Sequence, residues 1–328
     1  MRLSRPFFQL PVLFDAERLQ AEIAALPDDA WVPHPDGVPG NSAARLISAD
    51  GGETDSVHGQ MLPTRWLAGM PYMRQVLAGF GVVWGRSRLM RLEPGVGVPD
   101  HADINYHWHT RVRLHIPVFT RPEVRFHCDG QAVHMAAGEA WVFDNWRRHH
   151  VENKAASARI HLVADTSGTA AFWQFACGPV PPREQWRKAS WNPAANPRLL
   201  TESNQRSPVM PAAEVQFLVE DLCAELTVAT DTAEARERAA RFSLLMKNFV
   251  FDWRQLCALH GVGGPAEADF WHLAGAVREA ARPLADGLVM RTNNASALLV
   301  LEKRVLQHLV VDDAGAQAGR TGEVSGVC

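Results

Sequence analysis

Two periods of apolar residues run along this chain, and the place where one gives way to the other divides it. Residues 7–14 alternate like a strand interrupted at Pro11. Asp15 then takes the N-cap position of a helix that carries Leu19, Ile23 and Leu26 on one stripe until Pro27 stops it. Residues 31–59 are rich in Pro, Gly, Asp and Ser around the short apolar piece A-A-R-L-I, and read as a long loop. From Gly81 the period is two. The run V-V-W-G-R-S-R-L-M-R-L ends in the turn signal Glu93-Pro94-Gly95, and strands are predicted at 111–119, 123–128, 131–135, 140–144, about 149–152 and 158–164. Short strands at such spacing, separated by Gly and Asp turns, predict a mostly β core of the double-stranded β-helix or jelly-roll type.

After Asp165 the period lengthens. Residues 172–177 read as a short closing element, and a proline-rich connector follows over 181–210, where helix and central strand are both disfavoured. Val215, Leu218, Val219, Leu222, Cys223 and Leu226 then fall at helical spacing, and further helices are predicted at 233–251, 266–281 and 296–310. The expected organisation is a β domain with flanking N-terminal elements over 1–180, the connector, a C-terminal α-helical domain over 211–313, and a disordered tail over 314–328.

The polar faces of two strands carry the first chemical signal. On the strand at 111–119, Val112, Leu114 and Ile116 share one side, and Arg111, Arg113 and His115 the other. A half-buried strand with its charges in water gives the same alternation. The strand at 158–164 repeats it, with Arg159, His161 and Val163 opposite Ile160 and Leu162. Two Arg-x-His faces in one small β domain predict a basic interior, suited to carboxylates because the planar guanidinium fork pairs with carboxylate oxygens bidentately. Arg88, by contrast, could face inward, but reads better as a surface residue held in a salt bridge.

The histidines sharpen this picture. Non-haem iron sites use two histidines and one carboxylate on one face and leave the opposite face open for ligands. An H-x-D segment can supply two of the three, since alternate residues of an extended chain point the same way. It occurs at His34/Asp36, inside a Pro- and Gly-rich stretch, and at His127/Asp129, where Asp129-Gly130 is a hairpin-turn signal. It occurs again at His101/Asp103, which is followed by a strand able to supply the rest of a site. His149 or His150 can be the distant third ligand. His107, Trp108 and His109 add ring donors close in sequence to His101, better suited to substrate contact than to further ligation. Trp31, Asn41, Arg45 and His58 are weaker candidates for a substrate mouth, and a solvated loop with a packed tryptophan accounts for them at least as well.

Composition narrows the class. A chain of 328 residues with 47% hydrophobic content exceeds one typical domain and can bury a sizeable core. A formal net charge of -3 argues against general nucleic-acid binding and against polybasic attachment to membranes. Cys128, Cys177, Cys223, Cys257 and Cys328 show neither a disulfide framework nor zinc spacing. The N-terminus lacks a signal-peptide core and no apolar run reaches membrane length, so a cytoplasmic protein is expected.

Taken in order, H-x-D at His101, R-x-H-I-P from Arg113, V-H-M-A-A-G-E-A-W-V-F-D from Val133, H-x-V-x-N from His149 and R-I-H-L-V from Arg159 resemble the aspartyl/asparaginyl β-hydroxylase family of Fe(II)/2-oxoglutarate oxygenases. The likeness covers roughly residues 84 to 165. Within the family it is to the bacterial proline cis-hydroxylases, which keep the H-x-D that the animal protein hydroxylase lacks. The resemblance implies a cupin-like barrel with His101, Asp103 and His149 as iron ligands, the H-x-V-x-N spacing favouring His149 over His150. It implies Arg159 on the distal carboxylate of 2-oxoglutarate, with Arg113 and His115 near the metal-proximal end. A serine that contacts 2-oxoglutarate in the animal enzyme falls near Met90, which cannot replace it. His107, His109, Trp108, Arg45 and His161 are left as substrate-side candidates. The implied cofactors are iron(II), 2-oxoglutarate as cosubstrate and dioxygen, and the implied reaction is hydroxylation of an amino acid or an amino-acid residue on a small-molecule or aminoacyl partner.

Two other classes fit part of the pattern. A non-oxidative metal-dependent cupin, an isomerase or lyase, would also use histidines and a carboxylate inside a β-barrel, but it has no need of Arg159 at a 2-oxoglutarate length from the metal. A ligand-sensing or carrier-interaction module would place the work in the helical half, whose amphipathic helices can pack against the barrel, form a homodimer or lid the site.

Overall fold

The computed structural model describes residues 1–35, 37–204, 207–264 and 267–311; Asp36 and the tail expected over 314–328 lie outside them. The described chain divides into two units, one of residues 1–103 and 110–204, the other of residues 104–109 and 207–311.

The first unit contains the strands β1 (Phe7–Leu13), β2 (Val32–Pro33), β3 (Asn41–Ala49), β4 (Gly59–Pro63), β5 (Trp84–Leu92), β6 (Gly97–His101), β7 (Val112–Phe119), β8 (Val124–Cys128), β9 (Gln131–Val133), β10 (Glu139–Phe143), β11 (His149–Asn153) and β12 (Arg159–Thr166). The large sheet runs β1-β10-β7-β12-β5-β3-β4 and the small one β6-β11-β8-β9. From β5 to β12 the chain crosses between the sheets at every step except the hairpin β8–β9. Strands wound in this way form a double-stranded β-helix, the mostly β core that the spacing predicts.

The alternation of β7 and β12 sorts their side chains between two layers. Val112, Leu114 and Ile116 are buried with Ile160, Leu162 and Ala164 in one core, under helix α1 (Ala16–Ala24), the turn α2 (Arg65–Ala68) and helix α3 (Pro71–Ala78). Arg113, His115, Arg159 and His161 consequently fall on the opposite face, toward the small sheet. A second core of Phe7, Leu92, Phe126, Met135, Trp141 and Phe143 fills part of that space. Local signals hold where they rest on backbone chemistry. Asp15 Oδ1 accepts the backbone N–H of Arg18 at 3.0 Å. Asp129 and Gly130 both take positive φ, 50° and 73°, as the tight β8–β9 turn requires.

One local expectation fails. Residues 41–49, read as part of a long loop, form the nine-residue strand β3, paired with β5 on one side and with β4 on the other. The Pro- and Gly-rich flanks are turns at its ends, and A-A-R-L-I has too little β-branched or aromatic character to declare itself; pairing on both edges decides it. After β12 the chain forms helix α4 (Ala170–Cys177), and the described part of the connector adds a short turn at Arg183–Gln185 and two-residue edge strands, such as Arg187–Lys188 against β1.

The second unit is built on α5 (Ala212–Glu225), α6 (Ala233–His260) and α7 (Ala268–Leu284). Helix α6 continues past the predicted end at 251 because Trp253 packs on Phe249 and Phe270, with ring centroids 5.8 and 4.9 Å away, and its indole donates to the Met210 carbonyl at 2.9 Å. Gly261, at φ 76°, ends it. The helix expected over 296–310 is Ala297–Val300 followed by one wide turn and one tight turn to His308. The inserted segment 104–109 is tied into this unit: Arg304 donates to the Ile104 carbonyl at 3.3 Å and to Asp221 at 2.9 Å, and the Tyr106 hydroxyl donates to Glu214. Among the described residues no helix is long and apolar enough to cross a membrane.

Candidate metal centre and anion cavity

His101 ends β6 and His149 begins β11, and the two are direct antiparallel neighbours with ring centroids 4.2 Å apart. Asp103 follows His101 by two residues, and its backbone N–H donates to the Asn145 carbonyl at 2.9 Å. One ligand atom from each of His101, Asp103 and His149 lies within 4.8 Å of the others. Both rings are held the same way, His101 Nδ1 on the Pro99 carbonyl at 2.7 Å and His149 Nδ1 on the Arg147 carbonyl at 2.8 Å. A carbonyl accepts only from N–H, so each Nδ1 carries a proton and each Nε2 is the ring atom left for a ligand. The two Nε2 atoms and Asp103 Oδ1 are buried and have no hydrogen-bond partner. Burial, then the neighbouring His101, holds the His149 pKa well below the ordinary histidine range, which keeps its ring neutral. Burial pushes the Asp103 carboxyl up, opposed first by the Arg113 charge. Three orphaned donor atoms, two nitrogen and one carboxylate oxygen, suit a divalent transition metal, iron(II) among them. His150 points the other way along the strand and stacks on His127 at 4.1 Å.

Beside this cluster lies a cavity of about 440 Å³, counted with its mouth. His101, His149, Arg113, His115 and Arg159 line it, over an apolar floor that includes Phe126, Phe143 and Val151. Arg159 is 4% exposed; its Nη2 donates to His161 Nδ1 at 2.8 Å while its Nε has no hydrogen-bond partner. It has no carboxylate partner among the described residues, and burial alone lowers its pKa to about 9. His115 is packed edge-on against Phe126 and Phe143, each 5.4 Å away, with neither ring nitrogen hydrogen-bonded. Burial, then the Arg159 charge, keeps it neutral, and His161 likewise. Arg113 is compensated instead, 3.7 Å from Asp103 and 3.7 Å from Asp165.

The structure separates the remaining candidates. His161 is buried behind Arg159 and orients it rather than lining the cavity. Arg45 pairs with Asp55 at 2.6 Å and, like Trp31, Asn41 and His58, is not among the described residues that line the cavity. His107, Trp108 and His109 belong to the second unit, where His109 lies 3.8 Å from Asp221 and packs on Phe217. Arg88 corrects the surface reading. It is 4% exposed and lines the cavity, because β5 lies between β12 and β3 and has no edge in water. Asn145, fully buried, also escaped sequence reasoning; it donates to Asp103 Oδ2 at 3.4 Å.

Comparison with known proteins adds a partial family match. Residues 61–168, about a third of the chain, match the aspartyl/asparaginyl beta-hydroxylase model. No curated protein matches. Among solved structures, a 2OG-Fe(II) oxygenase family oxidoreductase from Burkholderia pseudomallei is similar at 17% identity and TM-score 0.35, covering 46% of this chain and 77% of that one. A predicted oxalate decarboxylase from Thermotoga maritima is similar at 17% identity and TM-score 0.26, covering 42% and 89%. A cupin domain from Bordetella pertussis is similar at 16% identity and TM-score 0.21, covering 25% and 79%. At these scores the structural likenesses carry no functional argument, whereas the family match supports hydroxylase-type chemistry. That match runs from β4 past the end of β12 and encloses the three clustered ligand atoms and the arginine-lined cavity: this stretch of the chain is similar to the aspartyl/asparaginyl beta-hydroxylase model.

Proposed function

We propose that the protein is an iron(II)- and 2-oxoglutarate-dependent hydroxylase of an amino acid or an amino-acid residue. The observation that carries this reading is the pairing of two groups: a cluster of three buried, unpartnered ligand atoms, two of them from histidines that line the cavity, and on another wall of that cavity a buried guanidinium without a carboxylate among the described residues. His101, Asp103 and His149 hold the metal, leaving the remaining coordination positions to ligands from the cavity. Arg159 receives the distal carboxylate of 2-oxoglutarate through its fork, and His161 fixes the plane of that fork. Arg113, braced by Asp103 and Asp165, and neutral His115 flank the metal-proximal end. Phe126, Phe143 and Val151 keep water from the reacting end. Iron(II), when bound, supplies the activation of dioxygen that converts 2-oxoglutarate to succinate and carbon dioxide and places one oxygen atom on the substrate carbon.

Adding iron(II) and 2-oxoglutarate to the protein without oxygen tests this. A visible metal-to-ligand charge-transfer absorption is expected, followed by succinate release when oxygen and free amino acids or short peptides are admitted. Iron-loaded protein that develops no such absorption overturns the reading in favour of a non-oxidative metal site.

A further inference from the structure

The cavity has two cationic ends, and the proposed 2-oxoglutarate site uses one of them. Along β12 and its neighbours, Arg159 stands beside Leu92, His161 beside Met90, Val163 between Arg88 and His115, and Asp165 beside Arg113. Arg159 and Arg88 therefore sit four residues apart in register, about 13 Å of strand. Their surroundings differ as well: burial first, then Arg86, Asp55, Arg113 and Asp165, perturbs Arg88, whereas burial alone perturbs Arg159. A ligand whose distal carboxylate is anchored at Arg159 and whose other end lies at the metal leaves the Arg88 end unfilled.

That end carries excess positive charge. Asp55 lies 3.4 Å from Arg88 but is already engaged by both nitrogens of the Arg45 fork, at 2.6 and 3.3 Å, and its backbone carbonyl accepts from Arg86 at 2.9 Å. Asp165 is divided between Arg86, at 3.8 Å, and Arg113, at 3.7 Å. Arg88, Arg86, Arg113 and Arg45 thus share Asp55, Asp165 and the metal-facing Asp103. A buried guanidinium held by a shared, long ion pair and facing open cavity is suited to an anion from solution.

The geometry points to Arg88 as the receptor for a carboxylate of the organic substrate, so that the hydroxylated molecule is a free acid. This rests on the proposed oxygenase reading and narrows it. It excludes neutral amides, carrier-bound thioesters and internal peptide residues. Such substrates would leave Arg88 buried opposite a group that cannot return its charge-assisted hydrogen bonds.

The test is calorimetric titration of the full chain, held without oxygen and loaded with iron(II) and 2-oxoglutarate, using the common L-amino acids and their α-carboxamides. At least one free acid should bind while its amide does not. Arg88→Gln should weaken that acid about tenfold to a hundredfold, with Arg88→Lys intermediate because it keeps the charge and loses the fork. The charge-transfer absorption of each loaded protein shows that the site has formed before any acid is added. If Arg88→Gln lacks it, Arg88→Lys carries the comparison. Failure of the wild type to show the absorption overturns the oxygenase reading, and this inference with it. A normal absorption overturns the inference alone if no acid binds, if amides bind as well as acids, or if both variants bind like the wild type.

Discussion

The small sheet carries a pair of neighbouring histidines on each face, and the two pairs behave as different chemical objects. On the inner face His101 and His149 are pinned through Nδ1 to backbone carbonyls, and their buried Nε2 atoms converge with Asp103 Oδ1. On the outer face His127 and His150 stack at 4.1 Å with side chains 28% and 34% exposed, near Glu152 and Asp100 at 3.5 and 3.8 Å. Each pair has an H-x-D segment attached, His101/Asp103 inside and His127/Asp129 outside. Residue type is the same; deep burial, ring contacts to backbone carbonyls and a converging carboxylate oxygen make one pair ready for a metal, while the other is a partly exposed cross-strand contact beside two separate carboxylates.

Breaking the inner pair should have the largest consequence. His149→Ala is expected to lower iron affinity by more than the roughly 10- to 100-fold that loss of a supporting group costs, whereas His150→Ala keeps most of it. Iron titration of both proteins reads the difference, and the reverse result would move the ligand to the outer face. Next in size, Arg159→Ala should raise the 2-oxoglutarate concentration required for the charge-transfer absorption by about two to three orders of magnitude, through loss of a charge-assisted bidentate contact. An unchanged requirement removes Arg159 as the anchor. Asn145→Ala leaves all three ligand atoms in place but releases Asp103 Oδ2. An iron-affinity loss of about 10- to 100-fold is expected, measured by competition with a chelator, and no loss would mean that Asp103 needs no such support. The smallest effect belongs to the outer face, where His127→Ala should change unfolding stability by no more than about 0.5 kcal/mol in denaturant titration.

The same contrast explains what could be read from the chain. Periodicity found β7, β12 and their basic faces because apolar Val112, Leu114, Ile116, Ile160 and Leu162 mark the opposite side unambiguously. The Asp129-Gly130 turn was legible because positive φ at both positions restricts residue choice. Strand β3 was not, since its alanines gain their burial from partners on both edges rather than from a local pattern. Arg88 was misread for a related reason. In R-S-R-L-M-R the charges suggest a wet face, but a strand flanked on both sides over a cavity can bury arginines against Asp55, a carboxylate far away in sequence. Asn145 carries no signal of its own: its role comes from the chain passing Asp103 after the β10 strand ends.

The most direct measurement is a crystal structure of the protein soaked anaerobically with iron(II) and 2-oxoglutarate, with the metal located by its anomalous scattering. The account predicts iron bound by His101 Nε2, His149 Nε2 and an Asp103 oxygen, with the distal carboxylate of 2-oxoglutarate on Arg159. Iron on the His127 and His150 face, or a distal carboxylate turned away from Arg159, would contradict it.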